Sequence, residues 1–217
     1  VVPALNAQET LPRCFDSLIG ATVHGMVREV IVADGGSTDD TLIIADAAGA
    51  RLIHAGPTRI DQLAAGARAV RSEWILFLHP ETALSPGWDV EAGSFMSHVS
   101  HEHPFAAAFS FALEEFDPAA RRAEALAALR SKLFKLPYGE QGLLIPRMFY
   151  EKLGGFRDVP MPDADMARRI GAGRLVMLHA RAVSRKANRP GHERTALRAA
   201  FYALRLPVAM LGRQAAK

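Results

Sequence analysis

Three groups of polar residues follow apolar runs that read as strands, and each group can bind or activate a ligand. Asn6 and Glu9 follow the first run, Asp34, Ser37 and Asp39 the second, and His79, Glu81 and Thr82 the fourth. Asp34 stands before Gly35-Gly36, where bare backbone lets a ligand approach closely. A carboxylate placed there can accept a hydrogen bond from a planar base. Ser37 and Asp39 have an ordinary alternative, capping the next helix. His98, His101 and His103 form a His-x-x-His-x-His pattern of a kind that suits zinc. Ser100 and Pro104 mark that pattern as a loop, with no acid or cysteine obviously convergent on it. Cys14, beside Phe15 on the first helix, reads as core packing rather than as a nucleophile.

The elements that must position these groups alternate along the first half. Val1–Leu5 is apolar and β-prone, and Glu9–Ile19 places Leu11, Phe15, Leu18 and Ile19 on one helical face. Strands are expected at Arg28–Ala33, Arg51–His54 and Trp74–Leu78. Helices are expected after Ser37-Thr38, ending near Gly49, and over residues 59–70. Alternation at this spacing predicts a parallel sheet covered on both faces. Ligands then bind beyond the carboxyl ends of the strands, so the loops after Leu5, Ala33 and Leu78 line the expected site. The second half is less regular. It reads as a long strand at Pro104–Leu113, a helix at Pro118–Leu133, and a polar loop at Tyr138–Gly142. A short strand at Leu143–Ile145, a helix at Asp163–Ile170 and a strand at Leu175–Leu178 follow. A final amphipathic helix is expected at Thr195–Leu211, and no internal repeat interrupts the chain.

The composition is that of a globular protein: 217 residues, 49% apolar and 23% charged, with a net charge of +3. One cysteine excludes an internal disulfide framework and favours a reducing compartment. No run of apolar residues reaches the length of a membrane span, and no signal peptide is visible. The chain opens on Val1-Val2-Pro3 without Met, apparently inside a strand, so a few preceding residues are expected. Residues 181–217 hold nine Lys/Arg and one acid, a charge of +8, which leaves −5 for the rest. A basic tail on an acidic body suggests an anionic partner or a solvated helix face. The absence of Gly-x-Gly-x-x-Gly after a strand, of a Walker lysine loop and of a Gly-x-Ser-x-Gly elbow argues against a dinucleotide oxidoreductase, a P-loop NTPase and an α/β-hydrolase.

In order and spacing, these segments resemble the family 2 glycosyltransferases of the GT-A fold over roughly residues 1–185. Val1-Val2-Pro3-Ala4-Leu5-Asn6 looks like that family's first strand and loop, and Val32–Thr41, with Asp34-Gly35-Gly36-Ser37-Thr38-Asp39, like its second. Leu76–Thr82 looks like the strand carrying its Asp-x-Asp metal motif. Tyr138-Gly139-Glu140-Gln141-Gly142 and Leu153-Gly154-Gly155-Phe156 are similar to its acceptor-side segments, and Met161-Pro162-Asp163-Ala164-Asp165 falls at its Glu-Asp. The nearest subgroup carries His-Ala-Asp-Thr after the fourth strand.

The resemblance implies an α/β GT-A domain, with a Rossmann-like, mostly parallel sheet over residues 1–185 and a basic amphipathic segment over 186–217. It implies inverting transfer from a nucleoside diphosphate-sugar. The nucleotide would contact Pro3, Ala4, Asn6, Asp34, Arg59 and Asp61. Glu81 and His79 would hold a divalent cation, Mn or Mg, although His79 and Pro80 depart from the family's motif. Asp163 would be the base, with Pro162 in place of the usual Glu and Asp165 as its substitute. Glu140, Gln141 and Asp165 would lie on the acceptor side. The expected setting is cytoplasmic. An anionic membrane surface at its inner face, a lipid-linked acceptor and a homodimer are allowed by the tail, and no nucleic acid is expected. The departures at His79-Pro80-Glu81 and Pro162 leave open a non-catalytic nucleotide-sugar binder or partner subunit. A nucleotidyltransferase would need a Gly-rich basic loop after the first strand, which Asn6-Ala7-Gln8-Glu9 does not supply.

Overall fold

The computed structural model describes residues 1–115, 118–134, 137 and 139–185. The expected helix at Thr195–Leu211, the basic tail beyond Arg185 and Tyr138 lie outside the described residues. Strands β1 (Val2–Ala4), β2 (Ile31–Asp34) and β3 (Arg51–His54) form a parallel sheet in the order β1-β2-β3. Helices α1 (Leu11–Asp16), α2 (Ile19–Val23), α3 (Thr41–Ala47) and α4 (Arg59–Ala69) connect and cover them. Next come β4 (Trp74–Phe77), β5 (Thr82–Leu84), α5 (Trp88–Ser97), β6 (Ala106–Leu113) and α6 (Pro118–Phe134). The chain then runs through β7 (Leu143–Pro146), α7 (Arg147–Lys152), α8 (Pro162–Ile170) and β8 (Leu175–Ser184).

The second sheet has the order β4-β7-β6-β8-β5 and is mixed: only β6 and β8 run parallel. Val1 joins the two sheets, its nitrogen donating to the Leu76 carbonyl (2.7 Å) and its carbonyl accepting from the Leu78 amide (3.0 Å). The expected mostly parallel sheet is therefore correct for the first three strands and their seam with β4. Beyond β4 the sheet is mixed, because β4 takes β7 as its antiparallel neighbour.

Alternation along β4 places the sheet between two cores. Ile75 and Phe77 pack with Leu63, Ile145, Tyr150, Met166 and Ile170. Trp74 and Leu76 pack on the other side, against the cluster of Val2, Leu11, Trp88 and Phe109. Small residues let the layers close. Ala106, Ala107 and Ala108 are fully buried in β6, and a Cβ at Gly66 of α4 would run into the Val1 side chain.

Local boundaries differ from expectation in identifiable places. The expected Glu9–Ile19 helix is two short helices. The Ser17 hydroxyl bonds back to the Cys14 carbonyl (2.7 Å) where α1 ends. Cys14 is in the core, and burial pushes its thiol pKa up to about 12. Strand β8 runs on to Ser184 rather than ending near Leu178. A register shift opposite Ala108 and Ser110 hides the continuation behind His179 and Arg181. Elements β5, α5 and α7 were not expected. No helix among the described residues is long and apolar enough to cross a membrane.

The loops after β1 and β2 are locked together. Asn6, in the left-handed region at φ 52°, donates its amide to Ser37 Oγ (2.9 Å), and its Oδ1 accepts from the Thr38 amide (2.9 Å). Asn tolerates that conformation better than most residues. The Ala7 amide donates to Thr41 Oγ1 (2.7 Å), the Gln8 amide to Asp39 Oδ2 (3.1 Å), and the Asp40 amide to Gln8 Oε1 (3.0 Å). Partial burial works against charge on Asp39. Hydrogen bonds from the Thr41 hydroxyl and from the Gln8 and Thr41 amides outweigh it, so the pKa falls below 3.8.

Two predictions follow from this scaffold. Asp39 is held ionised by the fold, so its contribution is complete above pH 3.8 and is lost as pH falls through its lowered value. Asp39→Ala is expected to lower stability by about 1–2 kcal/mol at neutral pH. That gap should close on acidification in paired urea melts; a gap that persists at the lowest pH contradicts the clamp. Phe109 is fully buried against Trp88, at 6.0 Å between ring centroids, in the core cluster with Val2 and Leu11. Phe109→Ala is expected to cost about 3–5 kcal/mol, read from the denaturation midpoint.

Candidate active site

An open cleft of about 550 Å³ lies beyond the carboxyl ends of β1, β2 and β4. Its walls include Pro3, Asn6, Gln8, Asp39, Arg59, Gln62, His79 and Glu81. The loops after β1, β2 and β4 and the first turn of α4 supply these groups, segments far apart in sequence. The cleft also collects charge of one sign. Glu9, Asp39 and Glu81 line it, against Arg59 as its only Lys or Arg among the described residues.

Asp34 is nearly buried at 2% exposure, and its carboxylate serves its own turn. Oδ2 accepts from the Gly36 amide (2.9 Å) and the Ser37 amide (3.0 Å), while Oδ1 has only a 3.3 Å contact with the Ser37 amide. Gly35 admits no side chain, because a Cβ there would collide with Gln62 Nε2. Sequence reasoning passed over Gln62, which sits in an Ala-rich helix with nothing to mark it as a wall of the site.

Arg59 and Asp163, expected to contact nucleotide and to act as base, are joined directly. Arg59 Nη1 donates to Asp163 Oδ2 (2.9 Å) and Nη2 to Oδ1 (3.1 Å), a bidentate pair between the first turns of α4 and α8. Burial opposes the charge on Arg59, but the Asp163 carboxylate, its hydrogen bonds and the charge of Glu140 outweigh that cost and raise the guanidinium pKa. Gly139 packs flat on the pair. A Cβ there would collide with Arg59 Nη2 and lie 2.9 Å from Asp163 Oδ2. Asp163 does not cap its helix, since the N-cap position is Met161 and carries no side-chain bond. Asp61 does cap: its carboxylate and the Thr58 hydroxyl form a reciprocal capping box on α4.

The remaining expected residues divide. Glu140 lies beside Arg59 in a 3-10 turn, and its carbonyl accepts from the buried Thr82 hydroxyl (3.0 Å). Gln141 is turned inward at 1% exposure, donating to the Phe109 carbonyl (2.8 Å) and accepting from Ser131 (3.1 Å), so it braces the loop from within. Asp165 pairs with Arg169 at 2.7 Å, which in turn donates to the Leu153 carbonyl (2.6 Å). Its carboxylate is therefore held away from the Arg59 pair.

His79 and Glu81 share the cleft wall. His79 Nδ1 accepts from the Glu81 amide (3.3 Å), which leaves the ring proton on Nε2 and makes that nitrogen a donor. Ligation of a metal through Nε2 would require the other tautomer and lose this bond. Glu81 is thus the conventional oxygen ligand. A hard cation held by one carboxylate takes the rest of its shell from water and phosphate. The His98, His101 and His103 loop makes no such centre. His98 Nδ1 lies 2.7 Å from the Ser94 carbonyl, and no group of three or more His, Cys, Asp or Glu is placed to hold a metal among the described residues.

Comparison with known proteins agrees with this arrangement. Residues 1–93 match the family model described as Glycosyl transferase family 2, a span that contains every residue lining the cleft. Over 53 residues, 24% of this chain, there is 53% identity to glucosyl-3-phosphoglycerate synthase of Mycobacterium tuberculosis, covering 16% of that protein. Over 91 residues, 39% of this chain, there is 35% identity to a PGL/p-HBAD biosynthesis glycosyltransferase of Mycobacterium bovis, covering 35% of it. The matched stretches are thus well under two thirds of these relatives. The crystal structure of the M. tuberculosis synthase with Mn2+, UDP and glucosyl-3-phosphoglycerate aligns with a TM-score of 0.65 at 21% identity. That alignment covers 95% of this chain and 79% of that one, and establishes a shared fold. Residues 1–93 are thus similar to family 2 glycosyltransferases, within a fold shared with that synthase.

Proposed function

We propose that this chain transfers a glycosyl group from a nucleoside diphosphate-sugar to an acceptor hydroxyl. The observation that carries this reading is the cleft beyond β1, β2 and β4, where Asn6, Arg59, His79 and Glu81 converge and Asp163 is reached through Arg59. The family match over the same residues supports it. The synthase of like fold, crystallised with Mn2+ and UDP-glucose, supports the donor class and the cation. So does the charge of the cleft: among the described residues a diphosphate faces Glu9, Asp39 and Glu81 with only Arg59 in its favour, a balance that a cation improves.

In this reading the nucleoside lies against the Pro3–Asn6 loop. Asp34 Oδ1 has acceptor capacity left for the edge of the base. Glu81 holds the cation, which when bound neutralises charge on the departing diphosphate. Arg59 supplies positive charge to the same oxygens, with His79 beside it on the cleft wall. The acceptor oxygen attacks the anomeric carbon while the bond from that carbon to the diphosphate breaks. The electron pair leaves with the diphosphate, the acceptor proton passes to a carboxylate oxygen of Asp163, and in-line displacement inverts the anomeric centre. A second reading, donor binding without transfer, draws on the same ion pair, because both oxygens of Asp163 are engaged by Arg59.

A thermal-shift panel of UDP-, GDP- and dTDP-sugars with Mn, Mg or EDTA tests donor binding. A donor present at 100 times its dissociation constant stabilises by about 2.7 kcal/mol, and EDTA is expected to weaken that binding roughly ten-fold or more. Full binding in EDTA would remove Glu81 from the metal role. With the donor known, transfer to a panel of phosphoglycerate, free sugars and lipid-linked hydroxyls separates enzyme from binder, and NMR of the product reads inversion. Asp163→Asn is expected to retain donor binding and to lose transfer by roughly 10²–10⁴-fold. Wild-type transfer rates in that variant would exclude the base role.

A further inference from the structure

Arg59 occupies a shared boundary. It lines the open cleft with Asn6, His79 and Glu81, and it also lines the apolar pocket that contains Asp163, Phe156 and Met166. Its two terminal nitrogens are engaged by Asp163, while its buried Nε–H has no hydrogen-bond partner among the described residues. An unpartnered buried donor is a standing cost, which a different placement of the guanidinium would remove. Among the described residues the cleft offers an incoming diphosphate no other Lys or Arg. The carboxylate and the diphosphate therefore compete for one guanidinium.

We infer that the Arg59–Asp163 pair is a donor-operated gate: the diphosphate takes Arg59 from Asp163, and only then is the carboxylate released to accept the acceptor proton. This rests on the donor reading given above. The pair is part-buried, its side chains 35% and 27% exposed, so parting the two gives up charge-assisted hydrogen bonds that water replaces only in part. Asp163 therefore stays masked until a second anion arrives to take the guanidinium, and exchange of one anion for another keeps Arg59 paired throughout. The gate prevents a free base from forming beside the site before the donor is seated. Gly139 lies flat against both partners, and a side chain there would collide with the guanidinium.

Coupling of this kind is reciprocal. If the diphosphate must break the pair, loss of Asp163 must strengthen diphosphate binding, the opposite of what a merely structural role produces. Calorimetry with UDP, GDP and dTDP, each with Mn2+, first identifies the nucleotide that the wild type binds. Asp163→Asn and Asp163→Ala are then expected to bind it roughly ten- to a hundred-fold more tightly, the weight of one charge-assisted contact. That gain should vanish in an Arg59→Ala background. In the unmodified protein, carbodiimide labelling of Asp163, mapped by mass spectrometry, is expected to rise when the nucleotide is bound. This measurement serves even where a substitution disturbs folding. Wild-type or weaker affinity in the folded Asp163 variants, or labelling unchanged by nucleotide, overturns the gate while leaving the donor reading intact. Failure of the wild type to bind any of the three nucleotides overturns the donor reading and the gate with it.

Discussion

A bidentate ion pair between Arg59 and Asp163 ties the parallel half of the molecule to its mixed half where the two meet at the cleft. Arg59 comes from the first turn of α4, which packs on β1 and β2, and Asp163 from the first turn of α8, which packs under β4 and β7. Gly139 must approach both, so the loop before β7 is fixed by the same pair. The position of the candidate base relative to the cleft thus depends on one guanidinium. In water such a contact is weak; with partial burial and two parallel hydrogen bonds it becomes specific.

The cleft itself is built by backbone economy. The loops after β1 and β2 share hydrogen bonds through Asn6, Gln8, Asp39 and Thr41, so neither needs a long segment of its own to hold its shape. The carboxylates of Asp34 and Asp39 are engaged mainly in that locking, and Asp61 in capping α4. Acidic residues concentrated at a site are therefore not all ligands. Here Asp34, Asp39 and Asp61 satisfy backbone donors, while both oxygens of Asp163 are held by Arg59. The resulting wall is short of positive charge, which accords with a cation entering together with an anionic donor.

Much of this was legible in the residues themselves. Apolar runs and turn chemistry located the first four strands, and the Asp34-Gly35-Gly36 and Leu78-His79 junctions fell at strand ends as expected. The reason is local: buried parallel strands need continuous apolar runs, and the chain leaves them through residues that tolerate tight turns. Strand-end placement then put Asn6, His79 and Glu81 on one edge with no tertiary information. The family resemblance rested on the same segments.

Other features were settled only when distant parts of the chain met. Apolar periodicity reports that β4 is buried, but not that its partner is β7 running antiparallel. Arg59 and Asp163 lie 104 positions apart, and nothing in either segment marks them as partners. Gln141 reads as a polar loop residue, yet the fold turns it inward to the Phe109 carbonyl. Asp165 is drawn to Arg169 instead of the cleft. In each case the sequence fixes which groups can bond, since residue type sets charge and hydrogen-bonding capacity. Which of them do bond is decided by packing, because burial removes water as the competing partner and leaves each polar group only the neighbours the fold supplies.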